Sequence, residues 1–278
     1  MVVASHRARV GALVAALTAG VLVLGSGAWA LGAAVFPHED AASARSRIAV
    51  RPSPTASPSP VAVAVQTPSP TPTPTFDKAA NSIDDPRSVW VVVNKSRALN
   101  PVDYVPPDLV QPPVPNINGQ PVRQIVSGPL ATMFAAAKSE AGLSLTLQSG
   151  YRSYQTQVSV YDQDVAANGQ AYADTDTARP GHSEHQTGLS VDISAASGEC
   201  TLNACFGQTA EGRWLAANAW RFGFLLRYPS DKVPVTGFTY EPWHFRYIGL
   251  PLATELHDAG VTTLEEYFGV PGGETYPG

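Results

Sequence analysis

The chain has 278 residues, with 18 Lys and Arg against 23 Asp and Glu, and a formal net charge of −5 at pH 7. This modest negative charge argues against nucleic acid as a partner. Only two cysteines are present, which argues against a Cys-rich structural zinc site.

The chain begins with a short basic stretch followed by a long apolar run. Arg7 and Arg9 precede residues 10–36, which are almost all apolar. This pattern indicates an export signal, and the run is long enough to span a bilayer core of ~30 Å as a helix. Residues 28–30, Ala-Trp-Ala, also fit a cleavage site. We therefore predict that residues 1–36 are either a single-pass membrane anchor, which we favour, or a cleaved signal peptide, and that the remainder is extracytoplasmic.

Residues 37–85 are dominated by Pro, Ser and Thr. Such a segment buries too little apolar surface to offset its chain entropy, and frequent Pro favours an extended polyproline II backbone. We predict a disordered linker. A stalk that carries the domain away from the membrane and a linker of no selected length are both compatible with this composition.

Residues 86–278 have the size of one domain. Apolar periodicity, capping residues and breakers divide this region into alternating helices and strands. The predicted elements are a strand at 89–93, an irregular segment at 94–121, a helix with Ser127 as its N-cap and Gly142 as its stop, a strand at 143–147, a helix at 153–168, a loop at 174–182, a strand at 189–193, a helix at 209–223, strands at 224–228 and 243–247, a helix at 252–259, and a last helix with a capping box at 262–265. This order predicts an α+β fold, with a small, mostly antiparallel sheet flanked by helices.

Cys200 and Cys205 are separated by four residues. In an exported chain this spacing predicts a disulfide that closes a small loop and contributes ~2 kcal/mol on the chain-entropy estimate. Metal binding by this pair is the less favoured alternative, because the chain has no second pair of cysteines.

Two short segments supply a set of side chains typical of a catalytic metal site. Residues 183–192 contain His185 and Asp192, and residues 241–244 contain Glu241 and His244. A catalytic zinc site needs three protein ligands, an open position for water, and a separate base. Gly188 permits a sharp bend between the first two, and a turn near Pro242 would let the second pair share one centre.

Each pair has an ordinary alternative. A lone loop histidine such as His185 is more often solvated or hydrogen-bonded than metal-bound. Glu241 could be a surface acid, beside a His244 that is simply packed among aromatic residues.

A third segment, residues 149–157, places Arg152 at a strand-to-helix junction, with Gln157 about one turn further on. The planar guanidinium can face a carboxylate or a developing oxyanion, and the amide can add a hydrogen bond. The alternative is that Arg152 caps the local backbone or pairs with a surface acid.

Taken together, the three segments resemble the zinc D-alanyl-D-alanine carboxypeptidases of the VanY type. The family pattern is Gly-Tyr-Arg-Ser, then Ser-x-His-x-x-Gly-x-x-x-Asp, then Glu-x-x-His, and this chain has all three in that order. The resemblance also includes residues 93–95, Tyr104 and residues 264–267, so it covers about residues 89–270.

The resemblance implies a role for each of these side chains. His185, Asp192 and His244 would be the ligands of one Zn²⁺, and Glu241 would be the general base that later protonates the leaving amine.

The same comparison implies that Arg152 polarises the scissile carbonyl or stabilises its oxyanion. Ser183, Gln157 and Arg152 would contact the substrate, with Ser183 and Gln157 at its terminal carboxylate and backbone.

The implied function is removal of the terminal D-Ala from peptidoglycan stem peptides that end in D-Ala-D-Ala, by an enzyme that is membrane-anchored or secreted to the cell wall. We expect a monomer that contacts a membrane only if its N-terminal helix is uncleaved. An L,D-carboxypeptidase or a peptidoglycan endopeptidase could use the same zinc site. A non-catalytic wall-binding module is the alternative from another class, and its expected mark is loss of the base or of a ligand.

Overall fold

The computed structural model of the protein describes residues 76–277. The predicted apolar helix at 1–36 and residues 37–75 of the predicted linker lie outside this region. No helix among residues 76–277 is both long and apolar enough to cross a membrane.

One four-stranded antiparallel sheet organises the fold, in the order β3-β4-β6-β5. A separate two-stranded ribbon pairs β1 with β2. The strands are β1 (Leu109–Val110), β2 (Val122–Arg123), β3 (Leu145–Ser149), β4 (Ser190–Ala195), β5 (Phe224–Leu226) and β6 (His244–Tyr247).

Helices pack around this sheet, so the predicted α+β class is confirmed. The α-helices are α1 (Gln124–Ala141), α2 (Tyr154–Asn168), α3 (Gln170–Asp176), α4 (Ala210–Asn218), α5 (Val233–Thr236), α6 (Leu250–Ala259) and α7 (Leu264–Phe268). Three 3-10 helices lie at Glu184–Thr187, Ala204–Gln208 and Ala219–Phe222, and the last of them completes the helix predicted at 209–223.

The alternation of side chains on β4 and β6 separates the core from the site. Val191 and Phe245 lie fully buried in the main apolar cluster, together with Leu147 of β3 and Leu130 of α1. Because successive strand residues face opposite sides, Asp192 points away from that cluster. The pairing of β4 with β6 sets Asp192 opposite His244.

The prediction of a strand at 89–93 is wrong. Val91, Val92 and Val93 are buried, but they form an irregular segment with no strand partner. Its backbone groups find other partners: the Val92 N–H donates to Ile83 O at 2.9 Å, and Arg246 Nη2 donates to Val91 O at 2.8 Å. The guanidinium of Arg246 thus supplies a hydrogen bond that a neighbouring strand would otherwise make. Apolar periodicity in the sequence cannot reveal such a contact.

The start of α1 also differs from the prediction. The helix begins at Gln124, with Arg123 rather than Ser127 as its N-cap, and Pro129 lies inside it. The Gln124 N–H donates to Asp108 O at 2.8 Å, so a tertiary contact satisfies the first turn instead of a capping side chain. The predicted end at Gly142 is confirmed, with φ of 72°.

Two smaller corrections concern local boundaries. The loop predicted at 174–182 begins inside α3, which runs to Asp176. The capping box is shifted by one residue, because Thr263 Oγ1 accepts from the Glu266 N–H at 3.2 Å and donates to Glu266 Oε2 at 2.7 Å.

Residues 76–85, which composition assigns to the linker, contact the folded domain. Phe76 stacks on Trp90 with ring centroids 5.6 Å apart and meets the edge of Tyr267 at 6.3 Å. Lys78 Nζ donates to Tyr267 O at 3.1 Å. The domain boundaries remain predictions, but these contacts place Phe76 against the second apolar cluster, which includes Leu252 of α6.

We predict that Phe76→Ala in the full chain lowers the free energy of unfolding by about 1–2 kcal/mol, less than for a fully buried Phe, because this ring is only half-buried. Urea denaturation measures the change. Tyr172→Ala is the matched control, since that ring is 54% exposed and should cost little. Equal effects of the two substitutions would show that the Phe76 contact adds no stability.

Candidate active site

A cavity of about 250 Å³ opens over the polar face of the sheet. Its walls come from the strands, from the 3-10 helix at Glu184–Thr187 and from the loops that follow α3 and β4. The predicted site residues that line it are Arg152, Ser183, His185, Asp192, Glu241 and His244.

Three of these side chains converge at the floor of the cavity. His185, Asp192 and His244 are all buried, and each offers a ligand atom within 4.8 Å of the others. His185 Nε2 lies 3.3 Å from Asp192 Oδ2, and His244 Nδ1 lies 3.4 Å from Asp192 Oδ1. The structure therefore brings together the three residues predicted to share a metal ion.

Local backbone geometry explains how His185 reaches Asp192. The chain turns at Gly188, whose φ is 66° and whose N–H donates to His185 O at 3.1 Å. A Cβ at this position would lie 2.9 Å from Arg123 Cγ, so both conformation and space favour glycine. The strand β4 starts two residues later.

Each imidazole is held in orientation by a contact at the ring nitrogen that faces away from Asp192. His185 Nδ1 lies 2.8 Å from Gly150 O, and it can only donate to that carbonyl. His244 Nε2 lies 3.4 Å from Glu184 Oε2. These contacts leave His185 Nε2 and His244 Nδ1 as the lone-pair nitrogens that face Asp192, an arrangement typical of metal-binding histidines.

The donor set fits a divalent cation. Two atoms that are each ~2.0–2.1 Å from one tetrahedral zinc ion lie about 3.3–3.4 Å apart, which matches the separation of His185 Nε2 and Asp192 Oδ2. Asp192 Oδ1 is buried and has no hydrogen-bond partner among the described residues. Two nitrogens and a carboxylate are ligands that zinc accepts.

Glu241 lies beside this group. Its Oε2 is 3.5 Å from His244 Nδ1, and the backbone turns between the two residues through a His244 N–H to Glu241 O hydrogen bond of 3.1 Å. The turn ends where β6 begins, as expected from Pro242. The two side chains can therefore face one centre although they are three residues apart.

Burial and mutual charge shift the pKa values of the group. Burial raises the pKa of Glu241 to about 8, with the negative charge of Asp192 adding to the effect. Burial alone would lower the pKa of His244, but the carboxylates of Asp192 and Glu184 outweigh it and raise the pKa to about 9. Burial lowers the pKa of His185, and the neighbouring imidazoles overcome burial to hold the pKa of Asp192 far below its usual range.

Arg152 and Gln157 form a unit at the start of α2. Ser153 caps the helix, and the Arg152 N–H donates to His185 O at 3.1 Å. Arg152 Nη1 donates to Gln157 Oε1 at 3.0 Å, and Gln157 Nε2 donates to Ala178 O at 2.6 Å. Gln157 is fully buried with both ends bonded, so the structure gives it a contact with Arg152, and its direct contact with substrate stays a prediction.

Several residues of the cavity were not predicted. Glu184 lies beside His185 in the motif, but the sequence gives no sign that it turns toward His244. Tyr228 lines the cavity with its ring centroid 4.8 Å from that of His244. Leu202 lines it from a loop in which Cys200 and Cys205 are joined by a disulfide, and its φ is 49°.

Comparison with known proteins decides the family. The model of the VanY family, described as D-alanyl-D-alanine carboxypeptidase, matches residues 119–250. The putative carboxypeptidase YodJ of Bacillus subtilis (strain 168) is 44% identical over 192 residues, which cover 67% of this chain and 69% of YodJ. The chain belongs to the VanY family. The resemblance inferred from its motifs is confirmed, and the chain is a hydrolase of the carboxypeptidase class.

Similar solved structures agree with this assignment. The LD-carboxypeptidase LdcB has a TM-score of 0.62 and 44% identity, covering 67% of this chain and 89% of LdcB. The D,D-pentapeptidase VanY from the VanB-type vancomycin resistance cassette, in complex with Zn(II), has a TM-score of 0.55 and 36% identity, covering 64% of this chain and 97% of that one.

The pKa values predict how a divalent cation would bind at this VanY-family site. Because His244 holds a proton up to about pH 9 and Glu241 up to about pH 8, a divalent cation must displace a proton at neutral pH. Zinc affinity is expected to rise between pH 6 and 9, by up to about tenfold per pH unit for each displaced proton.

Calorimetry in buffers of different ionisation enthalpy should then show at least one proton released per ion at pH 7. An affinity that stays constant from pH 6 to 9 would contradict this prediction.

Proposed function

We propose that this protein is a zinc-dependent D,D-carboxypeptidase that hydrolyses the terminal D-Ala of peptidoglycan stem peptides ending in D-Ala-D-Ala. The observation that carries the proposal is the convergence of His185, Asp192 and His244 at the floor of an open cavity, with Glu241 beside them. The match to a family described as D-alanyl-D-alanine carboxypeptidase supports the substrate class.

His185, through Nε2, Asp192 and His244, through Nδ1, would hold the zinc ion. A bound zinc ion supplies a water molecule of lowered pKa and a positive charge near the scissile carbonyl. Glu241 lies outside the donor set and is free to handle protons.

Glu241 acts as general base and then as general acid. Its carboxylate accepts a proton from the attacking water and returns that proton to the amine of the departing D-alanine. A pKa near 8 in the buried, metal-free site suits the second step, and a cation beside the carboxylate lowers the pKa toward the value that the first step needs.

Arg152 stabilises the negative charge that develops on the carbonyl oxygen. The guanidinium lines the cavity, and its bond to Gln157 fixes its direction before the substrate arrives. Ser183 lines the same cavity and is the proposed contact for the substrate's terminal carboxylate.

An L,D-carboxypeptidase on the same site is the second candidate. It is favoured by the comparison with LdcB, which is more similar to this chain than the zinc-bound VanY structure is, at 44% against 36% identity. The segment after α3, including Thr177 and Ala178, lines the cavity and is a candidate determinant of this choice.

Neither of the remaining alternatives has such support. An endopeptidase would use the same side chains on an internal bond. A non-catalytic wall-binding module would be expected to lack the base or a ligand, whereas Glu241 and all three donor residues are in place. We propose extracytoplasmic action on the cell wall, in keeping with the predicted export signal.

The expected product distinguishes these activities. Incubation of purified muropeptides with the protein and zinc should remove one alanine from pentapeptides, and mass spectrometry measures that loss. Loss of alanine from tetrapeptides alone would indicate the L,D activity, release of larger fragments would indicate an endopeptidase, and no change in any muropeptide would contradict a hydrolase acting on the wall.

Glu241→Gln tests the proposed base. Gln resembles the protonated acid that the metal-free site favours at pH 7, so folding and zinc content should be unchanged while kcat falls about 10²–10⁴-fold. Asp258→Asn, at an exposed position of α6, is the matched control and should leave kcat unaltered. Activity that survives in Glu241→Gln would show that the base is another group.

A further inference from the structure

Behind His244 lies a network of buried charges that the proposed reaction does not use. Its centre is Glu184, whose side chain has no exposed surface. Glu184 Oε1 accepts from Arg227 Nε at 2.9 Å and from Arg246 Nη1 at 2.8 Å. Glu184 Oε2 accepts from Ser190 Oγ at 3.1 Å and faces His244 Nε2 at 3.4 Å.

Both arginines are fixed at their other ends. Arg227 donates through two nitrogens to Glu265, at 2.9 and 2.6 Å. Arg246 donates to the carbonyl oxygens of Val89 and Val91, at 3.2 and 2.8 Å. The carboxylate of Glu184 therefore cannot rotate without breaking bonds to groups that are themselves held.

The network is balanced in charge, with two guanidinium groups and two carboxylates, all essentially buried. Burying such groups contributes little net stability compared with apolar side chains, because desolvation offsets much of the attraction. A fixed carboxylate directed at an imidazole does have a known consequence, since it sets which ring nitrogen carries the proton and how the ring is oriented.

We propose that Glu184 is a positioning residue for the metal site. Arg227 and Arg246 hold Glu184 so that its Oε2 accepts from the Nε2–H of His244. This contact keeps the lone pair of His244 Nδ1 directed at the cavity, beside Asp192. This inference rests on the proposed function insofar as it assigns His244 to a metal ion. Glu184 itself lies outside the proposed donor set of His185, Asp192 and His244, and its side chain has no exposed surface.

Glu265 provides a matched control for the charge network. It binds the same Arg227 and is equally buried, at 2% exposure of its side chain. No contact joins it to His244 among the described residues. Removing its charge therefore takes one carboxylate away from Arg227, as the corresponding change at Glu184 does, without touching the imidazole.

The test compares Glu184→Gln, Glu184→Asp and Glu265→Gln in the full-length protein, with zinc affinity measured by competition against a chromogenic chelator. Both changes at Glu184 are expected to weaken zinc binding about 10–100-fold. Glu184→Asp keeps the charge that the arginines need, but it withdraws the carboxylate from His244 by one methylene. Glu265→Gln should change zinc affinity less than about threefold, a limit we set well below that loss.

Circular dichroism and thermal melting of the metal-free proteins separate positioning from folding. Excess zinc should restore most of the wild-type kcat in the Glu184 variants, because the reacting groups are intact. Equal loss of zinc affinity in Glu184→Gln and Glu265→Gln would overturn the proposal, as would unchanged affinity in both Glu184 variants or failure of both to fold. A wild-type protein that binds no zinc would overturn the proposed function and this inference with it, whereas zinc binding unaffected at Glu184 would overturn the inference alone.

Discussion

The antiparallel register of β4 and β6 is the constraint on which the site depends. It sets Asp192 directly opposite His244, while Val191 and Phe245, on the other face, enter the apolar core. Because side chains alternate along a strand, a slip of one residue would send the carboxylate toward the core and the apolar residues toward the cavity. Such a slip would bury a charged carboxylate without partners and expose apolar core residues to water, and both changes are unfavourable. The packing that stabilises the fold therefore also fixes the positions of Asp192 and His244.

The candidate residues that the motifs single out converge in the structure, because each motif combines such a side chain with the turn that places it. Gly188 lets His185 return toward β4, and Pro242 lies in the turn between Glu241 and His244. What the sequence cannot show are partners that meet only in the folded chain. The contact of Glu184 with His244 joins residues 60 positions apart, and the contact of Gln157 with Ala178, in the loop after α3, joins residues 21 positions apart.

The same distinction explains which elements of the fold are mispredicted. Residues 89–93 have the composition of a strand, but Arg246 supplies their hydrogen bonds in place of a neighbouring chain. The helix α1 starts early because Asp108, distant in the sequence, accepts the hydrogen bond of its first turn. In both places a long-range polar contact overrides a local preference, whereas elements set by capping and glycine, such as α2 and the end of α1, agree with the prediction.

The loop closed by Cys200 and Cys205 contributes to the wall of the cavity, whereas the strands form its floor. Packing against the core fixes the side chains of these strands. Leu202, in contrast, reaches the cavity from a short ring that the Cys200–Cys205 disulfide closes. No residue of that ring, 200–205, belongs to a strand of the sheet. A change of side chain at Leu202 would therefore alter the wall of the cavity while the strand pairing that places Asp192 opposite His244 stays the same, which makes this ring a suitable target for protein engineering.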